Sequence, residues 1–287
     1  MKNKGFENRI RSNLETMRPA EQRVARFFLG NPEDTLVGSA SSIAKAIDTS
    51  DATVIRTVKA LGFSGMDHMR RELIGDMQNN PAPFKRLSLT LDQMGDDVYS
   101  ALDMTLEIHL QAIERLRHDI KPEIFTRTVN ALATSHHIHL FGIGPSSAMA
   151  DYMAIQLGRY GLPATTINHS GLLLADQLLK VDKGDTVLIF AYGRVYPELK
   201  ALLKVAQQQK AKTVLISDTL GEKLGGKVDL VLPVRRGRTD RLSMHTTTLA
   251  LIEALLVAVA KTRGKKTISS LKRLHALRAG ISGDDVK

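Results

Sequence analysis

The sequence has 287 residues, of which 43% are hydrophobic, and a formal net charge of +10. This length favours two domains with a sizeable core. The absence of cysteine excludes disulfides, thiolate metal sites and a cysteine nucleophile, and it suits a reducing cytoplasm.

The first part of the chain is predicted to be entirely helical. Apolar residues recur at helical spacing in Phe6–Met17, Pro19–Leu29 and Met66–Met77, with two shorter helices at Ile43–Ile47 and Ala52–Leu61. The polar, proline-rich stretch at 79–83 is the best linker candidate. We therefore expect a helical domain at 1–78, a linker at 79–97 and a second domain at 98–287.

The two short helices of this domain are separated by a tight polar turn, in which Thr49 or Ser50 can cap the second helix. Val54 and Val58 are four residues apart and are expected to face inward. The side chains expected to face outward or towards the flank are those of Asp51, Thr53, Arg56, Thr57 and Lys59. Hydroxyls and an arginine suit phosphate oxygens and guanine edges. The pair is predicted to be a helix-turn-helix that binds double-stranded DNA, and an ordinary helical hairpin is the alternative. Phe63, in the turn that follows, is expected to anchor the core.

The excess of positive charge does not coincide with this helix pair. Residues 1–80 contain 12 lysines and arginines against 10 acidic residues, whereas residues 261–287 contain 8 against 2. Apolar residues at every third position indicate a basic amphipathic helix in the C-terminal tail, namely Ile268, Leu271, Leu274 and Leu277. We interpret its basic side as a solvated helix face.

From residue 98 onward the pattern changes. Two helices, 98–117 and 122–133, precede short β-rich runs that alternate with helical stretches; the runs lie at 138–141, 164–167, 186–191, 213–216 and 230–234. Such alternation predicts an α/β domain with a parallel sheet and helices on both faces. Its longest apolar run, Leu249–Ala260, contains Glu253 and is too short for a membrane span. The N-terminus lacks the apolar core of a signal peptide, so we expect a cytoplasmic protein with no membrane partner.

A glycine-rich turn follows the first predicted strand and contains Gly142, Gly144, Ser146 and Ser147. It leaves backbone N–H groups and two hydroxyls at the start of a helix, which is a site for an anion or a hydroxyl. Ser147 stands where the dinucleotide fingerprint requires its third glycine, so no nicotinamide cofactor is expected. His169 is a further ligand candidate near a strand end, where Asn168, Ser217, Asp218, Arg235 and Arg236 also lie. His245 near the last helix is a similar candidate, and a locally hydrogen-bonded histidine is the alternative for both. Arg235 and Arg236 could meet an anionic effector, and a solvated loop is the alternative. His136, His137 and His139 are not expected to bind a metal, because alternate residues of a strand face opposite sides.

The helical domain resembles the N-terminal domain of the RpiR/MurR family of bacterial transcriptional regulators. The matching pieces are Pro19-Ala20-Glu21, the Ala44-Lys45-Ala46 helix, Ser50-x-x-Thr53-Val54-x-Arg56 and Leu61-Gly62-Phe63-x-Gly65. The order of elements over 122–262 is similar to that of a sugar isomerase (SIS) domain, so the resemblance covers nearly the whole chain. It implies a regulator that binds operator DNA as a homodimer or homotetramer and senses a small molecule. It also implies that Gly144, Ser146 and Ser147 help to bind that molecule.

The second SIS signature departs from the family pattern. The family has a Ser-x-Ser-Gly-x-Thr loop whose hydroxyls hold a sugar phosphate, and this chain has Phe190-Ala191-Tyr192-Gly193-Arg194-Val195. Both serines and the threonine are absent, while Tyr192, Gly193 and Arg194 remain as ligand candidates. Few donors are left for a phosphate. The effector is therefore predicted to be a carbohydrate derivative or a carboxylate rather than a typical phosphosugar.

Two other functions compete with a regulator. A sugar-phosphate isomerase needs a general base, for which Glu198 and His169 are the candidates. A carbohydrate-binding SIS protein without a DNA role would make the helix-turn-helix pattern accidental. We expect a regulator with no catalytic residues, no cofactor and no metal.

Overall fold

The computed structural model describes residues 6–79, 83–94, 97–236 and 243–282. These residues form two compact units, a helical unit up to Gln93 and a sheet unit from Met94 onward. The helices of the helical unit are α1 (Phe6–Asn13), α2 (Pro19–Gly30), α3 (Pro32–Val37), α4 (Ala40–Ala46), α5 (Asp51–Ala60), α6 (Met66–Asn79) and α7 (Pro83–Met94). A short 3-10 turn, Leu14–Thr16, separates α1 from α2.

One hydrophobic core holds the helical unit together. Phe28, Ile43, Val58 and Met69 come from four different helices and are completely or almost completely buried in it. Helix α3, which has six residues and starts at a proline shortly after α2, was not predicted from the sequence. Residues 79–97 were predicted to be a linker, and the structure has helix α7 within this range.

The sheet unit is a five-stranded parallel sheet with the strand order β2-β1-β3-β4-β5. The strands are β1 (Ile138–Gly142), β2 (Ala164–Ile167), β3 (Thr186–Phe190), β4 (Lys212–Ser217) and β5 (Leu230–Pro233). The helices are α8 (Ser100–Asp119), α9 (Pro122–Thr134), α10 (Pro145–Arg159), α11 (Leu173–Leu178), α12 (Pro197–Gln209), α13 (Leu220–Leu224), α14 (Thr246–Arg263) and α15 (Lys265–Ser282).

Helices cover both faces of this sheet. Side chains of α9, α10 and α14 form one core with the sheet, and those of α11, α12 and α13 form a second core on the other face. Strands β1 and β3 are buried on both faces and are largely apolar, whereas the edge strand β2 is partly exposed and contains two threonines. The predicted fold class, a helical domain followed by a parallel α/β domain, is confirmed.

The C-terminal helix α15 is present, but its apolar residues do not share one face. Ile268 and Leu277 are 55% and 56% exposed, whereas Leu271 and Leu274 are partly buried. A spacing of three residues advances by 300° per step, so four such residues rotate around half of the helix. None of the helices in the part of the chain that the structure describes has the length and apolar character needed to cross a membrane.

Candidate functional site

The first candidate site is the turn between α4 and α5. Ser39 caps α4 by accepting from the N–H of Ser42 at 3.0 Å, and Ser50 caps α5 by accepting from the N–H of Thr53 at 3.2 Å. Asp48 adopts the left-handed conformation between the helices, with φ of 49°. Of the two predicted caps, Ser50 therefore fills the role, and Thr49 lies in the turn.

Two of the predicted outward side chains of α5 are buried. Thr53 is 7% exposed and Thr57 is fully buried, and the hydroxyl of Thr57 donates to the carbonyl oxygen of Thr53 at 2.8 Å. The expectation that they face outward was wrong. Each threonine directly precedes a buried valine, and residues 53, 54, 57 and 58 together form one inward face of a helix with 3.6 residues per turn.

The exposed face of α5 carries a different set of side chains. Asp51, Arg56 and Lys59 are exposed as predicted, together with Ala52 and Ile55, which the sequence reasoning missed. The Arg56 guanidinium donates to the carbonyl oxygen of Ala52 and to the Thr53 hydroxyl, at 3.3 Å each. Because Thr53 is buried, its contribution is to orient Arg56. The helical period of Val54 and Val58 would have identified Ala52 and Ile55.

The end of α5 is fixed by a glycine cap. Gly62 has φ of +79°, and the N–H groups of Gly62 and Phe63 donate to the carbonyls of Lys59 and Val58 at 2.9 and 3.2 Å. This is the Schellman pattern of a helix C-terminus. Phe63 is 2% exposed and packs on Phe6, so its predicted role as a core anchor is confirmed.

The second candidate site is the C-terminal edge of the sheet, where β1 leads into α10. Gly144 has φ of +60° and open space above it, whereas a Cβ on Gly142 would lie 2.4 Å from the carbonyl oxygen of Ser146. Ser146 is 7% exposed, and the Ser147 hydroxyl donates to the carbonyl oxygen of Gly144 at 2.8 Å. Gly142 therefore permits the close approach of strand and helix, and Gly144 permits the turn.

The loop after β3 holds Tyr192 inside the protein. Tyr192 is 8% exposed, and its phenol oxygen lies 2.7 Å from the hydroxyl of Thr248 on α14. Burial raises the pKa of the phenol far above its ordinary value. Tyr192 is a predicted ligand residue, and in this structure its hydroxyl is hydrogen-bonded to that of Thr248. Gly193 (φ +69°) donates to Asp218 at 3.2 Å, while Arg194 is exposed.

The guanidinium of Arg236, which follows the edge strand β5, lies over the ring of Tyr192. The guanidinium carbon of Arg236 lies 3.8 Å from the ring centroid of Tyr192, and its Nη2 lies 3.5 Å from the carboxylate of Asp218. The ring of His245 meets the same tyrosine edge-on at 5.5 Å between centroids. Burial, with the charge of Arg236 as a second cause, lowers the pKa of His245 to about 4.

His169 lies apart from this cluster, on the loop after β2, and is exposed. The side-chain oxygen of Gln177 accepts from the N–H groups of Asn168 and His169 at 3.1 and 3.0 Å. These bonds fix the loop through the backbone and leave the imidazole at the edge of the sheet.

The three histidines around β1 lie at its start, whereas the ligand candidates follow the strand ends. His139 is 1% exposed, and its Nε2 lies 3.0 Å from Asp185 at the start of β3. Burial lowers the pKa of His139, so the pair joins two strands at the N-terminal edge of the sheet as a hydrogen bond. Within the described ranges no group of three or more histidine, aspartate or glutamate side chains is arranged to hold a metal.

Sequence reasoning named Arg236 and His245 as possible contacts to an effector, Asp218 only as a residue near a strand end, and Thr248 not at all. Arg236 acts across β4 on a residue that follows β3, and no local pattern encodes a contact across three strands.

Both units match models of known protein families. A family model for the helix-turn-helix domain of the rpiR family matches residues 4–80, and a model for the SIS domain matches residues 131–258. The bifunctional protein glk of Paraburkholderia xenovorans is 27% identical over 282 residues, which cover 96% of this chain and 43% of that protein. The chain thus spans less than half the length of this relative.

Two relatives match over most of their length. The HTH-type transcriptional regulator HexR of Escherichia coli is 22% identical over 270 residues, covering 93% of this chain and 91% of HexR. The structure of Vibrio vulnificus NanR with ManNAc-6P covers 96% of this chain and 98% of NanR, with 20% identity and a TM-score of 0.56. With an rpiR-type helix-turn-helix domain in front of a SIS domain, the chain belongs to the RpiR family of transcriptional regulators.

Proposed function

We propose that this protein is a ligand-responsive transcriptional regulator that binds operator DNA through α5 and senses a small metabolite with its sheet unit. The observation that carries the proposal is the exposed face of α5. This face presents Arg56 and Lys59 on a helix capped at both ends, directly after a four-residue turn. HexR, a transcriptional regulator, matches the chain through both units. Arg56 is suited to a guanine edge or a phosphate, and Lys59 to a phosphate.

The proposed effector is a carbohydrate derivative or a carboxylate. NanR binds ManNAc-6P, which makes a sugar-related ligand reasonable for a protein of the same fold. In this chain, however, Phe190 is 1% exposed and belongs to the core, and the phenol of Tyr192 is bonded to Thr248. The loop after β3 therefore offers a phosphate only its backbone and the exposed Arg194. The hydroxyls of Ser146 and Ser147 lie in the first turn of α10.

We also propose that the protein acts as a homodimer or homotetramer. A helix-turn-helix dimer binds two half-sites about one helical turn of DNA apart, which doubles the number of base contacts. The effector would then act by shifting the population between dimer geometries that fit the operator and geometries that do not.

A gel shift with DNA from upstream of the protein's own gene tests the regulator function. We expect the wild type to bind at low salt and to weaken steeply with ionic strength as phosphate contacts are lost. Arg56→Ala should weaken binding by about tenfold. Arg127→Ala removes an equally exposed cation from α9 and should leave the affinity unchanged. If the wild type binds neither upstream nor neighbouring operon DNA, or if the two variants lose affinity equally, the proposal fails.

A further inference from the structure

The cluster around Tyr192 contains two buried nitrogen atoms that lack a partner. Neither Nε of Arg236 nor Nε2 of His245 forms a hydrogen bond to any residue that the structure describes. Both side chains pack against the same tyrosine ring, and they are close enough for the charge of Arg236 to lower the pKa of His245. A buried polar group without a partner is unfavourable, so two beside one ring indicate that something else supplies the missing bonds.

Arg236 always carries a proton on Nε, and the hydrogen bonds of this cluster bear on the proton of His245. In the described part of the chain, the phenol of Tyr192 is hydrogen-bonded to the Thr248 hydroxyl at 2.7 Å, and either oxygen can donate. When Tyr192 donates, the hydroxyl proton of Thr248 can go to Nδ1 of His245, 3.3 Å away. A neutral imidazole that accepts at Nδ1 carries its proton on Nε2. In this arrangement both unpartnered atoms are N–H donors that lack an acceptor.

The position of the cluster ties it to the candidate ligand site. Arg236 follows β5, yet its guanidinium reaches past Asp218, at the end of β4, to the residue after β3. In the strand order, β3 lies next to β1, and Phe190 pairs with Gly142 immediately before the glycine-rich turn. Parallel α/β sheets bind ligands at this carboxyl edge, where the strand order reverses.

We propose that Arg236 and His245 bind a carboxylate group of the effector. The inference rests on the sensing role proposed above for the sheet unit. Two N–H donors match the two oxygens of a carboxylate, and Arg236 already pairs with one carboxylate, that of Asp218. The ring of Tyr192 keeps the guanidinium in place, and Thr248 keeps the imidazole in the tautomer that donates. An arginine and a histidine thus take the place of the hydroxyl loop that holds a phosphate in the family pattern.

Thermal unfolding in the presence of simple salts and sugars tests the proposal. The probes are sodium acetate, sodium gluconate, glucose 6-phosphate and glucose, compared with sodium chloride at equal ionic strength. We expect gluconate or acetate to raise the Tm of the wild type by about 2–4 °C above the chloride value, since a ligand stabilises the state that binds it. Arg236→Gln and His245→Phe should each abolish this response. Arg235→Gln should retain it, because that neighbouring arginine is 58% exposed and pairs with Asp119 instead.

A second variant covers the case in which Arg236→Gln fails to fold. Arg236→Met keeps an unbranched side chain against Tyr192 but has neither a charge nor an N–H donor, so it too should lose the response. The inference is wrong if no carboxylate stabilises the wild type, if glucose 6-phosphate alone does so, or if the response survives in Arg236→Met.

A parallel gel shift separates this inference from the proposed function. If carboxylates stabilise a protein that binds no DNA, the carboxylate site is supported and the proposed regulator function is wrong. If the protein binds its operator but no carboxylate stabilises it, the regulator function is supported and the carboxylate site is wrong.

Discussion

The hydroxyl groups of α5 act inside the helical unit. Ser50 caps the helix, and Thr53 accepts a bond from the guanidinium of Arg56 while its own backbone carbonyl accepts from Thr57. The bond to Thr53 orients Arg56 on the exposed face, which also carries Ala52, Ile55 and Lys59. A residue behind the proposed DNA-binding face can thus be needed for folding without touching DNA.

Thr57→Ala is therefore expected to act on stability alone. It removes a fully buried methyl group and the hydroxyl that bonds to Thr53, and we expect the free energy of unfolding to fall by about 1–2 kcal/mol. The affinity of the folded protein for its operator should not change. Lys59→Ala is the matched control, because it should weaken DNA binding and leave the Tm unchanged. Loss of operator affinity in Thr57→Ala at an unchanged Tm would place that side chain at the DNA.

The junction of β1 and α10 shapes the edge of the sheet at which we propose that a ligand binds. Gly142 lets the first turn of α10 come close to the strand, and Gly144 turns the chain with a positive φ. Ser146 and Ser147 reach the edge of the sheet only because both glycines allow this path. The two glycines thus set the path of the chain, and the two serines are the hydroxyl-bearing side chains of this turn.

Gly142→Ala is expected to lower the free energy of unfolding by about 2–3 kcal/mol, because its Cβ would overlap the backbone of Ser146. Gly158→Ala, in the last turn of α10, provides the control. A Cβ there meets no atom within 4 Å, and alanine at this exposed helical position should raise stability by about 0.5–1 kcal/mol. Chemical denaturation measures both changes. The two variants are not expected to change the free energy of unfolding by the same amount. A Gly142→Ala variant that is as stable as the wild type would mean that strand and helix lie further apart than in this structure.

The sequence was sufficient to predict the elements whose pattern is local. The central strands are largely apolar, and the α4–α5 pair has its own caps, so both could be predicted from spacing. The directions of the Thr57 and Tyr192 hydroxyls could not be predicted, because a short sequence pattern does not show which way a hydroxyl points. The contacts of Arg236 with Tyr192 and Asp218 could not be predicted either, because they join residues that follow three different strands.

At the scale of the whole molecule, helix α8 leaves an apolar face uncovered. Leu102, Leu106 and Leu110 are spaced four residues apart and are 51%, 51% and 64% exposed. The same helix lines an open apolar groove of about 350 Å³ through Ile113 and Leu116. A monomer rarely leaves a continuous apolar stripe of this kind in water.

A second copy of the chain is a partner that this stripe can bind. When two copies of α8 pair antiparallel about a two-fold axis at Leu106, Leu102 of each copy meets Leu110 of the other. A two-fold interface requires such self-complementarity. We therefore propose that α8 forms the interface of the homodimer.

Leu106→Asp places a charge at the centre of this stripe, so the oligomer should dissociate to the 31.6 kDa chain. Light scattering coupled to size exclusion measures the mass. Operator affinity should fall in the same variant, because a monomer contacts a single half-site. Leu179→Asp is the control, since this leucine is 87% exposed just after α11 and lies outside the stripe, and it should keep the mass of the wild type. A wild type that is monomeric at the concentration of the gel shift, or a Leu106→Asp variant with unchanged mass, would show that α8 does not form the interface.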